Sequence, residues 1–193
     1  MVCIEPCKGD LRMEGLKIVC LGDSITYGWP WGPEISWTTM LARVIDAEVI
    51  NQGIPGNTTS QMMERFDRAV LAHHPTHVII MGGINDIVWQ ESFDRIVWNL
   101  RSMAEKAAEH DIKVVFGMPT AVDDDYLEKL TQRIRNWINT HADQHGIPVI
   151  NFHQAFYNQE GKILNQLLAA DGAHPTQEGY QAMFAQIDTS IFT

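Results

Sequence analysis

Apolar and polar residues alternate along this chain in blocks of two kinds. Short continuous apolar runs occur at residues 16–21 (LKIVCL), 77–81 (HVIIM), 113–116 (KVVF) and 147–150 (IPVI), with a shorter one at 48–50. Between them, apolar residues recur at helical spacing. Trp37, Met40, Leu41, Val44 and Ile45 form one such stripe, and Met62, Met63, Phe66, Ala69 and Val70 a second. Phe93, Ile96, Val97, Leu100, Met103 and Ala107 mark a long amphipathic helix, and Leu127, Leu130, Ile134, Trp137 and Ile138 mark the next. Tyr180, Met183, Phe184, Ile187 and Ile191 predict a final helix. The order is therefore five repeats of strand then helix. Strands that are apolar throughout, rather than at every second position, are covered on both faces. The pattern predicts an α/β fold: a three-layer α/β/α sandwich around a five-stranded parallel sheet.

The length of 193 residues suits one domain, expected over residues 15–193 after an N-terminal tail of residues 1–14. Hydrophobic residues make up 45% and charged residues 20%, as in globular chains. The 14 basic residues against 24 acidic ones give a net charge of −10, which argues against nucleic acid or an anionic membrane as partner. No apolar run is long enough to span a bilayer. Residues 1–14 carry Cys, Pro, Lys, Asp, Arg and Glu and no apolar stretch, so no signal peptide is expected. Cys3, Cys7 and Cys20 are too few for a disulfide scaffold. Cys20, inside the first strand, is expected as a buried thiol. These features predict a cytoplasmic protein.

In doubly wound sheets chemistry sits at the carboxyl ends of the strands. Four polar segments stand there or before the last helix. They are Gly22-Asp23-Ser24-Ile25-Thr26, residues 51–58 (NQGIPGNT), Gly82-Gly83-Ile84-Asn85-Asp86, and Asp171-Gly172-Ala173-His174-Pro175. A serine needs a base within reach, and the base needs an orienting partner. His174 is the candidate base and Asp171, three residues earlier, the candidate orienter. Pro175 holds His174 extended and suits the first turn of the helix that follows. Acyl transfer also needs donors for an oxyanion: the Ser24 and Gly56 backbone N–H groups and the Asn85 side-chain amide are candidates.

Taken together, these four segments resemble those of the SGNH (GDSL-type) hydrolase superfamily. That family carries Gly-Asp-Ser near its N-terminus, a glycine after the second strand, Gly-x-Asn-Asp after the third and Asp-x-x-His near the C-terminus. The resemblance covers roughly residue 16 to the end. It implies a flavodoxin-like sandwich, Ser24 as nucleophile, His174 as base, Asp171 as orienting acid, and an oxyanion hole of Ser24, Gly56 and Asn85. Gly53 is a second candidate in the glycine block; Gly56 is preferred for its offset from Asn51 and the polar helix start behind it. The implied reaction is hydrolysis of carboxylic esters through an acyl-enzyme, with no metal and no cofactor. The expected substrate is a short-chain acyl or acetyl ester of a small metabolite or carbohydrate. A lysophospholipase or acyl-thioesterase is the enzymatic alternative. A non-catalytic anion- or ligand-binding module is the alternative outside catalysis, although no phosphate-loop lysine or Gly-x-Gly-x-x-Gly follows the first strand.

Trp29 and Trp31, close behind Ser24, and Trp89, close behind Asn85, are candidate substrate contacts. His153 follows the fifth strand and is a weaker candidate for the site. His73, His74 and His77 are expected on a surface loop rather than around a metal. Residues 123–125 (DDD) read as carboxylates favoured at a helix start by its dipole.

Overall fold

The computed structural model describes residues 15–192; the expectations for residues 1–14, including Cys3 and Cys7, lie outside them. The chain runs β1 (Lys17–Gly22), α1 (Ser24–Tyr27), α2 (Trp37–Val44), β2 (Glu48–Gly53), α3 (Thr59–Glu64), α4 (Phe66–Ala69) and β3 (His77–Met81). It continues α5 (Ile84–Val88), α6 (Phe93–Ala108), β4 (Lys113–Gly117), α7 (Asp125–His145), β5 (Val149–Ile150) and α8 (Gln177–Phe184), with short 3-10 turns between. All five strands pair in parallel in the order β2-β1-β3-β4-β5. The α/β/α sandwich expected from the apolar runs is present.

Side chains of successive strand residues point to opposite faces, and each face has its own core. Val19, Leu21, Val78, Ile80, Val114 and Phe116 join Met62, Phe66, Leu100, Met103, Ile134 and Ile138 from α3, α4, α6 and α7. Ile18, Cys20, Ile79, Met81, Val115 and Ile150 join Trp37 and Leu41 of α2 and Tyr180 and Met183 of α8. Two packed faces are why the strands carry no polar alternation, and why the Cys20 thiol is buried.

Several elements differ from the apolar pattern. The stripe Met62–Val70 is two helices, broken at Arg65 (φ −98°, ψ 5°), whose side chain turns inward onto strand-end carbonyls. Helix α8 stops at Phe184, and Ile191 and Phe192 reach the core from a 3-10 turn at Thr189–Phe192. Strand β2 runs on through the polar Asn51 and Gln52, which pair with Cys20 and Leu21. His77 is not on a surface loop: it opens β3 and is buried, with its ring edge-on to Phe192 and Nδ1 beside Thr76 Oγ1. Among the described residues no cluster of three or more His, Cys, Asp or Glu could hold a metal, and no helix is long and apolar enough to cross a membrane.

Consecutive crossovers leave β1 in opposite directions, to β2 on one side and through β3 to β5 on the other. The crevice at such a switch point lies between the ends of β1 and β3, where Ser24 and Asn85 sit.

Candidate active site

Ser24 is the first residue of α1. Asp23 caps that helix by accepting the Ile25 N–H at 3.0 Å, while the Ser24 N–H, at the helix's first position, has no acceptor within it. Only Gly fits at position 22, where a Cβ would lie 2.1 Å from Thr26 Oγ1 and 2.9 Å from the Met81 carbonyl. The chain therefore turns from strand to helix tightly against its own next residues and presents Ser24 at the end of the sheet.

His174 comes to it from 150 residues away. Its Nε2 lies 2.9 Å from Ser24 Oγ, and its Nδ1 lies 2.7 Å from Asp171 Oδ2. A carboxylate only accepts, so Nδ1 carries the proton and Nε2 is left to accept from the serine hydroxyl. The other Asp171 oxygen accepts the backbone N–H groups of Ala173 and His174, both at 3.0 Å. Burial works to raise the Asp171 pKa, but these N–H groups and the imidazole outweigh it and hold the carboxyl below its usual range. The loop is braced from behind: Gly172, at φ 71°, offers its carbonyl to the Asp123 N–H at 2.7 Å, and Asn165 Nδ2 donates to Asp123 Oδ2. Of the three acidic residues at 123–125, Asp124 is the helix cap, accepting from Tyr126 and Leu127, and Asp125 begins α7; Asp123 serves the loop instead.

Gly56 lies at φ 79° in the turn after β2, with open space where a side chain would stand. Gly53 ends β2 opposite Gly22, and a Cβ there would lie 2.2 Å from the Tyr27 nitrogen. Its lack of a side chain is thus required by packing against α1. Asn85 belongs to α5, whose N-cap is Gly83 (φ 118°), and its Nδ2 donates to the Asn57 carbonyl at 2.9 Å. Next to it Asp86 is buried and accepts from both the Thr59 N–H and hydroxyl, tying α5 to α3.

Two of the three candidate tryptophans are bonded to the His174 loop or to α8 behind it. Trp31 Nε1 donates to the Pro175 carbonyl at 3.1 Å, and the buried Tyr180 hydroxyl donates to the Trp29 carbonyl at 2.8 Å. Their rings stay about half exposed (46% and 45%), while Trp89 is more exposed at 72%. His153 lies beside Tyr157 and the Glu128–Arg135 pair and takes no part in the Ser24–His174–Asp171 chain. Burial first, and then the Arg135 cation, push its imidazole down to about 4.

Two groups beneath the site carry no signal in the apolar pattern. Asp23 is 1% exposed, and burial pushes its carboxyl up to about 6 against the pull of the Ile25 N–H and His174. Arg65 is 3% exposed and reaches Gly22, Gln52 and Asn57. Asp23 stands in the turn between β1 and α1, and Arg65 breaks a helical stripe that reads as surface at a polar residue; the long-range bond to Gly22 marks Arg65 as interior.

With this geometry in view, the chain belongs to the GDSL-like lipase/acylhydrolase family, whose model matches residues 20–182. It is 35% identical over 75 residues to an arylesterase of Vibrio mimicus (36% of this chain, 38% of that one). It is 33% identical over 93 residues to an acetylxylan esterase of Geobacillus stearothermophilus (40% and 42%). These matches span less than half the length of those curated relatives. A solved G-D-S-L family protein of Desulfitobacterium hafniense superposes with a TM-score of 0.81 at 29% identity, over 88% of this chain and 97% of that one.

Proposed function

We propose that this chain is a serine esterase that works through an acyl-enzyme. The observation that carries this reading is the unbroken chain of hydrogen bonds from Ser24 Oγ to His174 Nε2, and from His174 Nδ1 to Asp171. His174 takes the Ser24 proton as the oxygen attacks the ester carbonyl, and Asp171 stabilises the imidazolium. The Ser24 and Gly56 N–H groups and the second hydrogen of the Asn85 amide, whose first is held by Asn57, bind the oxyanion. His174 then protonates the leaving alcohol. Water, activated by the same imidazole, frees the acid and restores Ser24.

Short-chain acyl or acetyl esters of a small metabolite or carbohydrate are the proposed substrates, in line with relatives named arylesterase and acetylxylan esterase. The half-exposed Trp29 and Trp31, the latter with its indole bonded to the residue after His174, suit stacking on a sugar or aryl group. Trp89 is proposed as an outer contact.

The test is hydrolysis of p-nitrophenyl acetate, butyrate and octanoate by the wild type, Ser24→Ala and His174→Ala. Activity that is highest on acetate, and lost by several orders of magnitude in both variants, supports the reading. A preference for octanoate moves the substrate to the longer acyl chains of a lysophospholipase or thioesterase. Equal activity in all three proteins, or none in any, overturns the serine mechanism.

A further inference from the structure

Arg65 is a buried cation whose acceptors among the described residues are all uncharged. Its Nε donates to Asn57 Oδ1 at 2.7 Å, and its Nη2 donates to the Gly22 and Gln52 carbonyls at 2.9 and 2.8 Å. Among the described residues, Nη1 is buried without a partner. Burying a charge that faces no hydrogen-bonded carboxylate is costly. Burial and the Arg68 cation accordingly pull the guanidinium pKa down, and only the Asp23 carboxylate opposes them.

The three acceptors have one thing in common. Gly22 lies two residues before Ser24. Gln52 stands at the end of β2, before the turn that carries Gly56. Asn57 follows Gly56, and its carbonyl is what the Asn85 amide donates to. One planar fork thus ties the nucleophile's strand to the glycine turn, and through Asn57 to the Asn85 amide. Lysine, with a single point of attachment on a flexible stem, does not reach these directions at once.

Resting on the esterase reading above, we propose that Arg65 is the positioning residue of the oxyanion hole. It fixes Asn57, so that the Gly56 N–H and the Asn85 amide are already aimed when the oxyanion forms. Donors set before the reaction stabilise charge without a cost of reorganisation.

The experiment is a double-mutant cycle on p-nitrophenyl acetate. It uses Arg65→Lys, Asn57→Ala, Asn85→Ala and the pairs Arg65→Lys/Asn85→Ala and Asn57→Ala/Asn85→Ala, with kcat and KM taken separately. Arg65→Lys is expected to lower kcat by about ten-fold or more while KM stays within about two-fold, because displaced donors slow the chemistry more than they weaken ground-state binding. Asn57→Ala, which removes only the carboxamide, is expected to lower kcat in the same sense. Once Asn85 is Ala, either substitution should cost clearly less than it does alone.

Effects that multiply fully, as a merely structural role would give, overturn the proposal. So does wild-type kcat in both Arg65→Lys and Asn57→Ala. If Arg65→Lys fails to fold, the Asn57–Asn85 cycle decides between the two outcomes. Ser24→Ala keeps the two readings apart: if it is as active as the wild type, the esterase reading falls, whereas an inert Ser24→Ala with multiplicative cycles removes only the role of Arg65.

Discussion

Trp31 donates its indole N–H to the carbonyl of Pro175, 144 residues further along the chain. Pro175 follows His174 directly, so the tryptophan loop and the imidazole loop are held as one unit. Trp31→Phe keeps a ring and removes that bond. The expected loss is about 1 kcal/mol, or roughly five-fold in kcat/KM on p-nitrophenyl acetate. An unchanged kcat/KM would show that the two loops hold their places independently.

Asp171 is held ionised by two backbone N–H groups and the imidazole. Asp171→Asn removes the charge opposite the imidazolium and disturbs the tautomer that leaves Nε2 free. A fall in kcat of about 10²–10⁴ is expected, measured at pH 8 with folding checked by circular dichroism. A fall of less than about three-fold would remove Asp171 from the mechanism.

Asp23 has its folded pKa raised, to about 6 against an ordinary 3.8. The folded state thus holds this proton more tightly than the unfolded chain does. Stability falls as pH rises from about 4 to about 6, and the cost is constant above that. Asp23→Asn keeps an oxygen to cap Ile25 and removes the titration. Its urea midpoint should exceed that of the wild type at pH 7.5, by at most about 3 kcal/mol in stability. The gap should shrink as pH falls through 6 towards 4. A gap that does not vary with pH would mean that Asp23 is not the titrating group.

Gly53 and Gly56 should respond differently to alanine. At position 53 the new carbon meets the α1 backbone at 2.2 Å, so Gly53→Ala should destabilise by about 1–3 kcal/mol. At position 56 there is room, and the penalty is the left-handed backbone alone, about 1–2 kcal/mol. The larger effect of Gly56→Ala should appear in kcat. Thermal melts beside initial rates separate the two, and a rate loss confined to Gly53→Ala would transfer the oxyanion role to that residue.

The fold was legible because β1, β3 and β4 are apolar runs and each long helix keeps its stripe. The four polar segments were legible because they fall at strand ends in a fixed order. Helices α1 and α5 were not, since four and five residues are too few to show a period. Nor was the break at Arg65: the apolar stripe continues through it, and the cause is a side chain bonded to Gly22, 43 residues earlier. Asp23, Asp86 and Arg65 are charged residues inside the protein, and local pattern assigns charge to the surface. Asn51 and Gln52 read as loop because their strand pairing is made by backbone, to which side-chain polarity is indifferent.

The 150 residues between Ser24 and His174 also set an order in time. A ribosome finishes the β1 strand and its serine early and delivers the base last, after every other strand of the sheet. Through most of its synthesis the nascent chain holds a serine hydroxyl with no base to activate it. On the esterase reading, hydrolytic competence arrives only when the Ser24–His174 contact closes across those 150 residues, which makes an early-terminated chain inert towards esters rather than a weaker enzyme.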